Sequence, residues 1–330
     1  MNTRQEPKYI SFVIPCYQST AVLREVVDEL MQVCTENDYT YEIILVNDGS
    51  PDNTFALIED ICKTQPNTVG INLARNFGQH AAYMAGFTLS TGEIVICLDD
   101  DGQNPPSECT KLISAIENGF DAVFGSYQAK KQSIFRNAGS MVNEWMTRLL
   151  LQKPKNVYVS SHYAMRRFVV DEMIKYDNPY PYTLGLILRT TNSVTSVPID
   201  HKERISGVSG YSIRRLIALW LNGFTAFSLK PLRVSTVLGL VSALAGIIYA
   251  IHIVINRAIN PNVMLGWTSL MAAILFIGGL VLFTLGLLGE YVGRIYISLN
   301  KAPQFVIKEI INEEVINRQC NPATKRGGTK

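Results

Sequence analysis

The chain has 330 residues, a formal net charge of +2 and a 47% hydrophobic composition. That length allows one large domain or two modest ones, and the near-neutral charge excludes nucleic acid as a bulk electrostatic partner. The six cysteines are scattered without a CxxC pair, which excludes a disulfide frame or zinc site and reads as buried or free thiols in a reducing compartment.

Met1 to Lys8 is polar and lacks the apolar core of a signal peptide, so the first domain is expected to remain unexported. From Tyr9 to about Ser126, strand and helix patterns alternate. Strands are expected at Tyr9–Pro15, Tyr41–Asn47, Val69–Asn72, Ile94–Asp99 and Ala122–Gly125. Helices are expected at Thr20–Thr35, Asn53–Thr64, His80–Ser90 and Pro106–Asn118. This order predicts an α/β fold with a mainly parallel sheet covered by helices. In Phe135–Leu151 the apolar Met141, Trp145 and Leu149 recur at helical spacing, which fits either a core helix or one lying on a membrane surface.

Tyr211–Phe227 sets Leu216, Leu219, Trp220 and Phe224 opposite Arg214 and Arg215, as an interfacial helix would. Val234–Ile255 and Trp267–Leu288 follow, each long enough at ~1.5 Å per residue to cross a hydrocarbon core of ~30 Å. The short polar loop 256–262 makes them a hairpin. Two buried core helices of a soluble protein are the weaker alternative. Lys230 and Arg233 precede the hairpin, Arg294, Lys301 and Lys308 follow it, and the loop offers only Arg257. The positive-inside rule then puts both termini in the cytoplasm. His252 lies inside a span, near the far interface, where it can stay neutral and reach water. The tail after Glu313 reads as disordered.

Chemistry concentrates at the predicted strand ends. Ile94 to Leu98 is an apolar run that ends in Asp99, Asp100 and Asp101, followed by Gly102-Gln103-Asn104-Pro105-Pro106. Buried strands of open α/β sheets release their C-terminal ends where ligands bind. Three adjacent carboxylates repel one another unless a cation neutralises them, and oxygen ligands suit Mg²⁺ or Mn²⁺. The first strand ends in Pro15-Cys16-Tyr17 and the second in Asn47-Asp48-Gly49-Ser50, where Asp48 can accept a hydrogen bond from a base or ribose. Arg75-Asn76-Phe77-Gly78-Gln79-His80 leads into a helix, and a cation with free N–H groups there favours an anion. There is no GxGxxG after the first strand and no GxxxxGK[ST], which argues against a dinucleotide-binding Rossmann domain and a P-loop.

Ile14-Pro15, Asp48-Gly49-Ser50, Arg75 to His80, Gly86, Thr91-Gly92, Asp99-Asp100-Asp101 and Gln103 to Pro106 together resemble the family-2 inverting glycosyltransferases. Their polyprenyl-phosphate branch is the closer match, through His201, Arg204, Gly207, Ser209 and Tyr211 and through Leu288 to Tyr296. The resemblance covers residues from about 9 to 300. It implies a GT-A fold in residues 1–210, an interfacial helix at 211–233, a transmembrane hairpin at 234–288, and a juxtamembrane segment and tail at 289–330. It implies that Pro15, Tyr17, Asp48, Arg75, Asp100 and Gln103 serve the nucleotide and donor, with Asp48 on the uridine. Asp99 and Asp101 would hold Mg²⁺ or Mn²⁺ and, with Arg204, carry catalysis. Arg204, Ser209, Arg214 and Arg215 would meet the acceptor phosphate.

The activity implied is transfer of a sugar from a UDP-sugar to undecaprenyl or dolichyl phosphate at the cytoplasmic face of a bacterial membrane, by a single inverting displacement. A homo-oligomer, a sugar-lipid flippase and a downstream transferase are the partners expected. A polysaccharide-extending synthase is the enzymatic rival, opposed by only two spans and no QxxRW-like motif. A catalytically silent scaffold, or partner of a translocase, is the rival of another class.

Three positions depart from the family. The carboxylate usually assigned as base is absent from 157–167, a common Arg is Tyr163, and the usual Lys after Ser209 is Gly210. An ionised phosphate acceptor needs little deprotonation, so the demand shifts to cations: the metal, Arg204, and Arg166, Arg214 or Arg215. Ser161 and His162 remain open. His162 reads first as a structural histidine, with the acceptor or donor sugar as the alternative; His80 and His201 are read with the same reserve.

Overall fold

The structure, a computed structural model, describes residues 9–127, 154, 157–200, 230–259, 266–300 and 302–315. These residues form two compact units, one before residue 211 and after residue 300, the other between them.

The first unit opens with the alternation that the sequence predicts. β1 (Tyr9–Cys16), α1 (Leu23–Glu36), β2 (Thr40–Asn47), α2 (Thr54–Thr64), β3 (Thr68–Leu73), α3 (Gln79–Leu89), β4 (Ile94–Cys97), α4 (Cys109–Glu117) and β5 (Ala122–Tyr127) follow in order. β1 to β4 are apolar and buried on both faces, as strands sandwiched between helix layers must be. β4 stops at Cys97, two residues short of the expected end, so Asp99 to Asp101 stand on the loop beyond the sheet. β6 (Tyr163–Arg166), α5 (Arg167–Met173), α6 (Thr183–Thr190) and β7 (Val194–Ile199) complete the middle of the chain.

The eight strands form one sheet in the order β7-β5-β6-β4-β1-β2-β3-β8, with β8 spanning Ile307–Ile311. β1 pairs in parallel with β2 and β4, β2 with β3, and β5 with β7. β6 lies antiparallel between β4 and β5, and β8 runs antiparallel on the edge of β3. The strand order reverses around β1 and β4, and their C-terminal ends carry the candidate site, as expected of an open α/β sheet.

β8 arises within 289–330, expected as a juxtamembrane segment and tail, and ends before the stretch after Glu313. Its residues satisfy the backbone groups of the β3 edge, which would otherwise be open to pairing. Asn312 fixes the return by donating from Nδ2 to Cys62 O (2.7 Å) and Thr68 O (3.0 Å). The segment from residue 289 therefore divides: its first part continues a long helix, and 302–315 belongs to the first unit.

The second unit holds α7 (Lys230–Ile259) and α8 (Trp267–Leu299), of 30 and 33 residues. At ~1.5 Å per residue both exceed a ~30 Å hydrocarbon core. Ser235 Oγ and Thr284 Oγ1 meet at 3.0 Å between them. Phe276–Gly293 is apolar enough to span a membrane, and none of it is buried. A core helix of a soluble protein would hide such a stretch; here Leu282, Phe276 and Leu285 face outward. The expected helices at Phe135–Leu151 and Tyr211–Phe227 lie outside the described residues, as do His201 and residues 260–262; residues 256–259 of the expected loop instead continue α7.

Candidate active site

The site begins with a glycine. Gly49 has φ +60°, and a Cβ there would stand 2.4 Å from Arg75 C and Asn76 N. Only glycine lets the β2 turn approach the Arg75 loop this closely. The approach delivers Asp48 to two backbone donors, Phe77 N at 2.7 Å and Gly78 N at 2.9 Å. Burial raises the Asp48 carboxyl above its ordinary range, and these two bonds oppose the rise. Arg75 lies over the Phe77 ring at 4.8 Å, which holds the guanidinium at the mouth of the same loop.

The three carboxylates after β4 separate rather than cluster. Asp100 Oδ2 accepts from Tyr17 N at 2.9 Å and from Ser19 Oγ, tying the loop after β1 to the loop after β4. Asp101 Oδ1 accepts from Gln103 N at 3.1 Å, across the turn at Gly102, whose φ is +68°. Asp99 turns inward. Its Oδ1 accepts from Gln79 Nε2 at 2.6 Å with Tyr83 OH at 3.4 Å, and its Oδ2 from Asn104 Nδ2 at 3.2 Å and from Ser161 Oγ. Burial, opposed by the Ser161 bond and reinforced by Asp101 and Asp100, pushes Asp99 up to about 6. Asp100 is likewise raised by burial, against its Ser19 and Tyr17 bonds.

Residues 11–174 match glycosyl transferase family 2, and residues 230–295 match the GtrB C-terminal hairpin. The undecaprenyl-phosphate 4-deoxy-4-formamido-L-arabinose transferase of Proteus mirabilis is 32% identical over 322 residues, covering 96% of this chain and 98% of the relative. The chain belongs to glycosyl transferase family 2, in its polyprenyl-phosphate branch. The transferase of the same description from Serratia proteamaculans is 34% identical over 318 residues, covering 94% of this chain and 97% of the relative. Among solved structures, glucosyl-3-phosphoglycerate synthase from Mycobacterium tuberculosis, crystallised with Mn²⁺ and UDP-glucose, superposes with a TM-score of 0.50. That match covers 64% of this chain and 75% of the synthase at 17% identity, and it shows the shared GT-A fold alone.

In this glycosyltransferase the structure brings together Tyr17, Asp48, Arg75, Asp99, Asp100, Asp101 and Gln103 on loops at the C-terminal ends of β1, β2, β3 and β4. Pro15 is buried within β1, where it sets the strand two residues before Tyr17. Arg204, Ser209, Arg214 and Arg215 lie outside the described residues.

The two open residues part company. Ser161 reaches the site through Asp99. His162 is fully buried, with Nε2 3.9 Å from the Cys109 thiol of the core, and burial lowers it to about 4. Burial favours its neutral form, and the ring faces the core side of Cys109. In His80, Nδ1 meets Thr183 Oγ1 at 3.0 Å, the ring packs edge-on to Tyr182, and burial lowers it to about 4. Arg166 is engaged by backbone carbonyls. Its guanidinium donates to Ile116 O (2.7 Å) and Phe120 O (3.1 Å) and closes the end of α4.

Sequence reasoning missed Gln79, Tyr83, Asn104 and Ser19 as supports of the carboxylates. Gln79 and Asn104 stand inside motifs already singled out, but spacing alone does not say which carboxylate an amide will meet. The five described cysteines, Cys16, Cys34, Cys62, Cys97 and Cys109, are free and buried.

The residues fit a hard divalent cation. No cationic side chain bonds Asp99 or Asp100 among the described residues; their partners are all neutral donors. Asp99 and Asp101 supply oxygen only. No group of three or more His, Cys, Asp or Glu is gathered among the described residues, so an ion held by two carboxylates would need water or phosphate oxygens to complete its shell.

Proposed function

We propose that this glycosyltransferase moves a sugar from a UDP-sugar to a polyprenyl phosphate, with undecaprenyl phosphate as the bacterial form, and inverts the anomeric centre. One observation carries the reading. The strand-end site of Asp48 and Asp99 to Asp101 belongs to a chain that matches, over 94–96% of its length, relatives named for transfer to undecaprenyl phosphate. Asp48 and Arg75 hold the uridine and an anionic part of the donor, and Tyr17 and Asp100 join the loops around it. Asp99 and Asp101 would hold Mg²⁺ or Mn²⁺, and such an ion would supply positive charge toward the departing diphosphate.

The acceptor oxygen attacks the anomeric carbon, the bond from that carbon to UDP breaks, and UDP leaves with the electron pair. A phosphate monoester has its second ionisation at roughly 6, so the nucleophile is already charged near neutral pH. That removes the need for a base where the family usually has a carboxylate. Arg204, with Arg214, Arg215 and Ser209, offsets the repulsion between acceptor and donor phosphates. The test is UDP release by the purified full-length protein, across a panel of UDP-sugars, with and without a short-chain polyprenyl phosphate. Release that depends on the lipid supports the reading; no release with any donor supports the silent scaffold.

The pH dependence of metal binding follows from Asp99. A group pushed up to about 6 keeps its proton up to that pH, and a cation must displace it. Mn²⁺ affinity, followed by electron paramagnetic resonance, should therefore fall as pH drops through about 6. The same shift makes protonated Asp99 contribute stability below its ordinary value of 3.8, and that contribution is lost as pH rises through about 6. Ser161→Ala removes a donor to the charged form, so the midpoint of the Mn²⁺ curve should move to higher pH. A midpoint unmoved by Ser161→Ala would contradict the role given to that bond.

We place the enzyme in the cytoplasmic membrane with both termini inside. A reporter fused after Lys330 and one set in the loop 256–262 should report opposite sides, the first cytoplasmic. Both on one side would refute the hairpin.

A further inference from the structure

We propose that Tyr127 is a positioning residue for the transfer reaction, aiming the Asp99 carboxylate through the carboxamide of Asn104. The inference rests on the reading that Asp99 belongs to the active site. Three elements are linked. Tyr127 is the last residue of β5, and its hydroxyl donates to Asn104 Oδ1 at 2.9 Å. Asn104 is 2% exposed, and its Nδ2 donates to Asp99 Oδ2 at 3.2 Å.

The direction of this chain is fixed by the inventory of donors. An ionised carboxylate only accepts, so the amide must turn its NH₂ toward Asp99. That leaves Oδ1 facing Tyr127, which must donate. Burial, with the Asp99 carboxylate nearby, pushes the Tyr127 hydroxyl up to about 12, so it keeps its proton across the working range. The ring is held in turn by Tyr158, edge-on at 6.2 Å and 74°. Ser160 and Ser161 also stand beside the hydroxyl, and Ser161 itself bonds Asp99. Without the hydroxyl, Asn104 Oδ1 is a buried acceptor that has lost this donor, and a flipped amide would set oxygen against carboxylate.

Nothing in this chain requires Tyr127 to touch substrate. Its effect should appear in turnover and in the metal site, and only while Asn104 is present. The test is a double-mutant cycle in the full-length protein in nanodiscs, reading kcat, donor KM, and Mn²⁺ affinity by electron paramagnetic resonance with UDP present. Tyr127→Phe should lower kcat about tenfold with donor KM near wild type, and should weaken Mn²⁺ binding. Asn104→Ala should do at least as much, and adding Tyr127→Phe to it should cost nothing further. Asn104→Ser takes its place in the cycle if Asn104→Ala does not fold. Wild-type kcat and Mn²⁺ affinity in Tyr127→Phe, or losses that multiply in the double variant, would overturn the proposal. Asp99→Asn separates the two readings: if it keeps both turnover and Mn²⁺ affinity, the assignment of Asp99 fails first. If Asp99→Asn loses both while Tyr127→Phe loses neither, only the positioning role fails.

Discussion

Asp101→Asn should leave the glycosyltransferase folded and lower its turnover by about 10²–10³-fold, the usual cost of one electrostatic stabiliser in an active site. The fold should survive because Asp101 Oδ1 accepts from Gln103 N at 3.1 Å, and the Asn carbonyl can accept the same bond. What Asn cannot supply is charge. Asp99 is enclosed by Gln79, Tyr83, Asn104 and Ser161, and Asp100 by Tyr17 and Ser19. Asp101 stands on the loop after β4, and neutralising it would remove a full ligand charge from the proposed cation. Circular dichroism and the thermal midpoint check the fold, and product formation checks the loss. EDTA should abolish wild-type activity, and Mn²⁺ should restore it. Near-wild-type turnover in EDTA would sink the metal assignment.

Arg204→Ala should cost roughly 2–5 kcal/mol in acceptor use, if the guanidinium meets the lipid phosphate in a desolvated site. The loss should appear as a raised acceptor KM or a lowered kcat, with UDP binding almost unchanged. Arg204 lies outside the described residues, and its assignment rests on the His201 to Tyr211 motif. Equal losses in UDP affinity and activity would move Arg204 to the donor side.

The alternating half of the fold was legible because its strands are apolar on both faces and end in turn residues. Asp48 and the Asp99 to Asp101 run fall at those ends, so the loops that carry the candidate site were legible as well. The later elements were not legible for physical reasons. β6 has four residues, too few for a period, and it is held by pairing with β4 and β5, which are distant in sequence. β8 reads Ile-Lys-Glu-Ile-Ile and becomes a strand only because the edge of β3 accepts it. The same limit applies within the site. Three adjacent aspartates look alike in sequence, yet Gln79, Tyr17 and the turn at Gly102 send them in different directions. His162 stands beside Ser161 in the chain, and alternation along the backbone sends one to the core and the other to Asp99.

The most direct test is the structure of the product. Purified enzyme, an α-linked UDP-sugar that supports UDP release, Mn²⁺ and a short-chain polyprenyl phosphate should yield one lipid. The panel of donors includes the 4-deoxy-4-formamido-L-arabinose nucleotide, since that sugar appears in the names of the relatives. Phosphorus and proton nuclear magnetic resonance should show a phosphodiester carrying a single sugar, β-linked, formed in equal amount with UDP. Free sugar, a growing polymer, or a product that keeps the donor's anomeric configuration would contradict a single inverting transfer to the lipid phosphate.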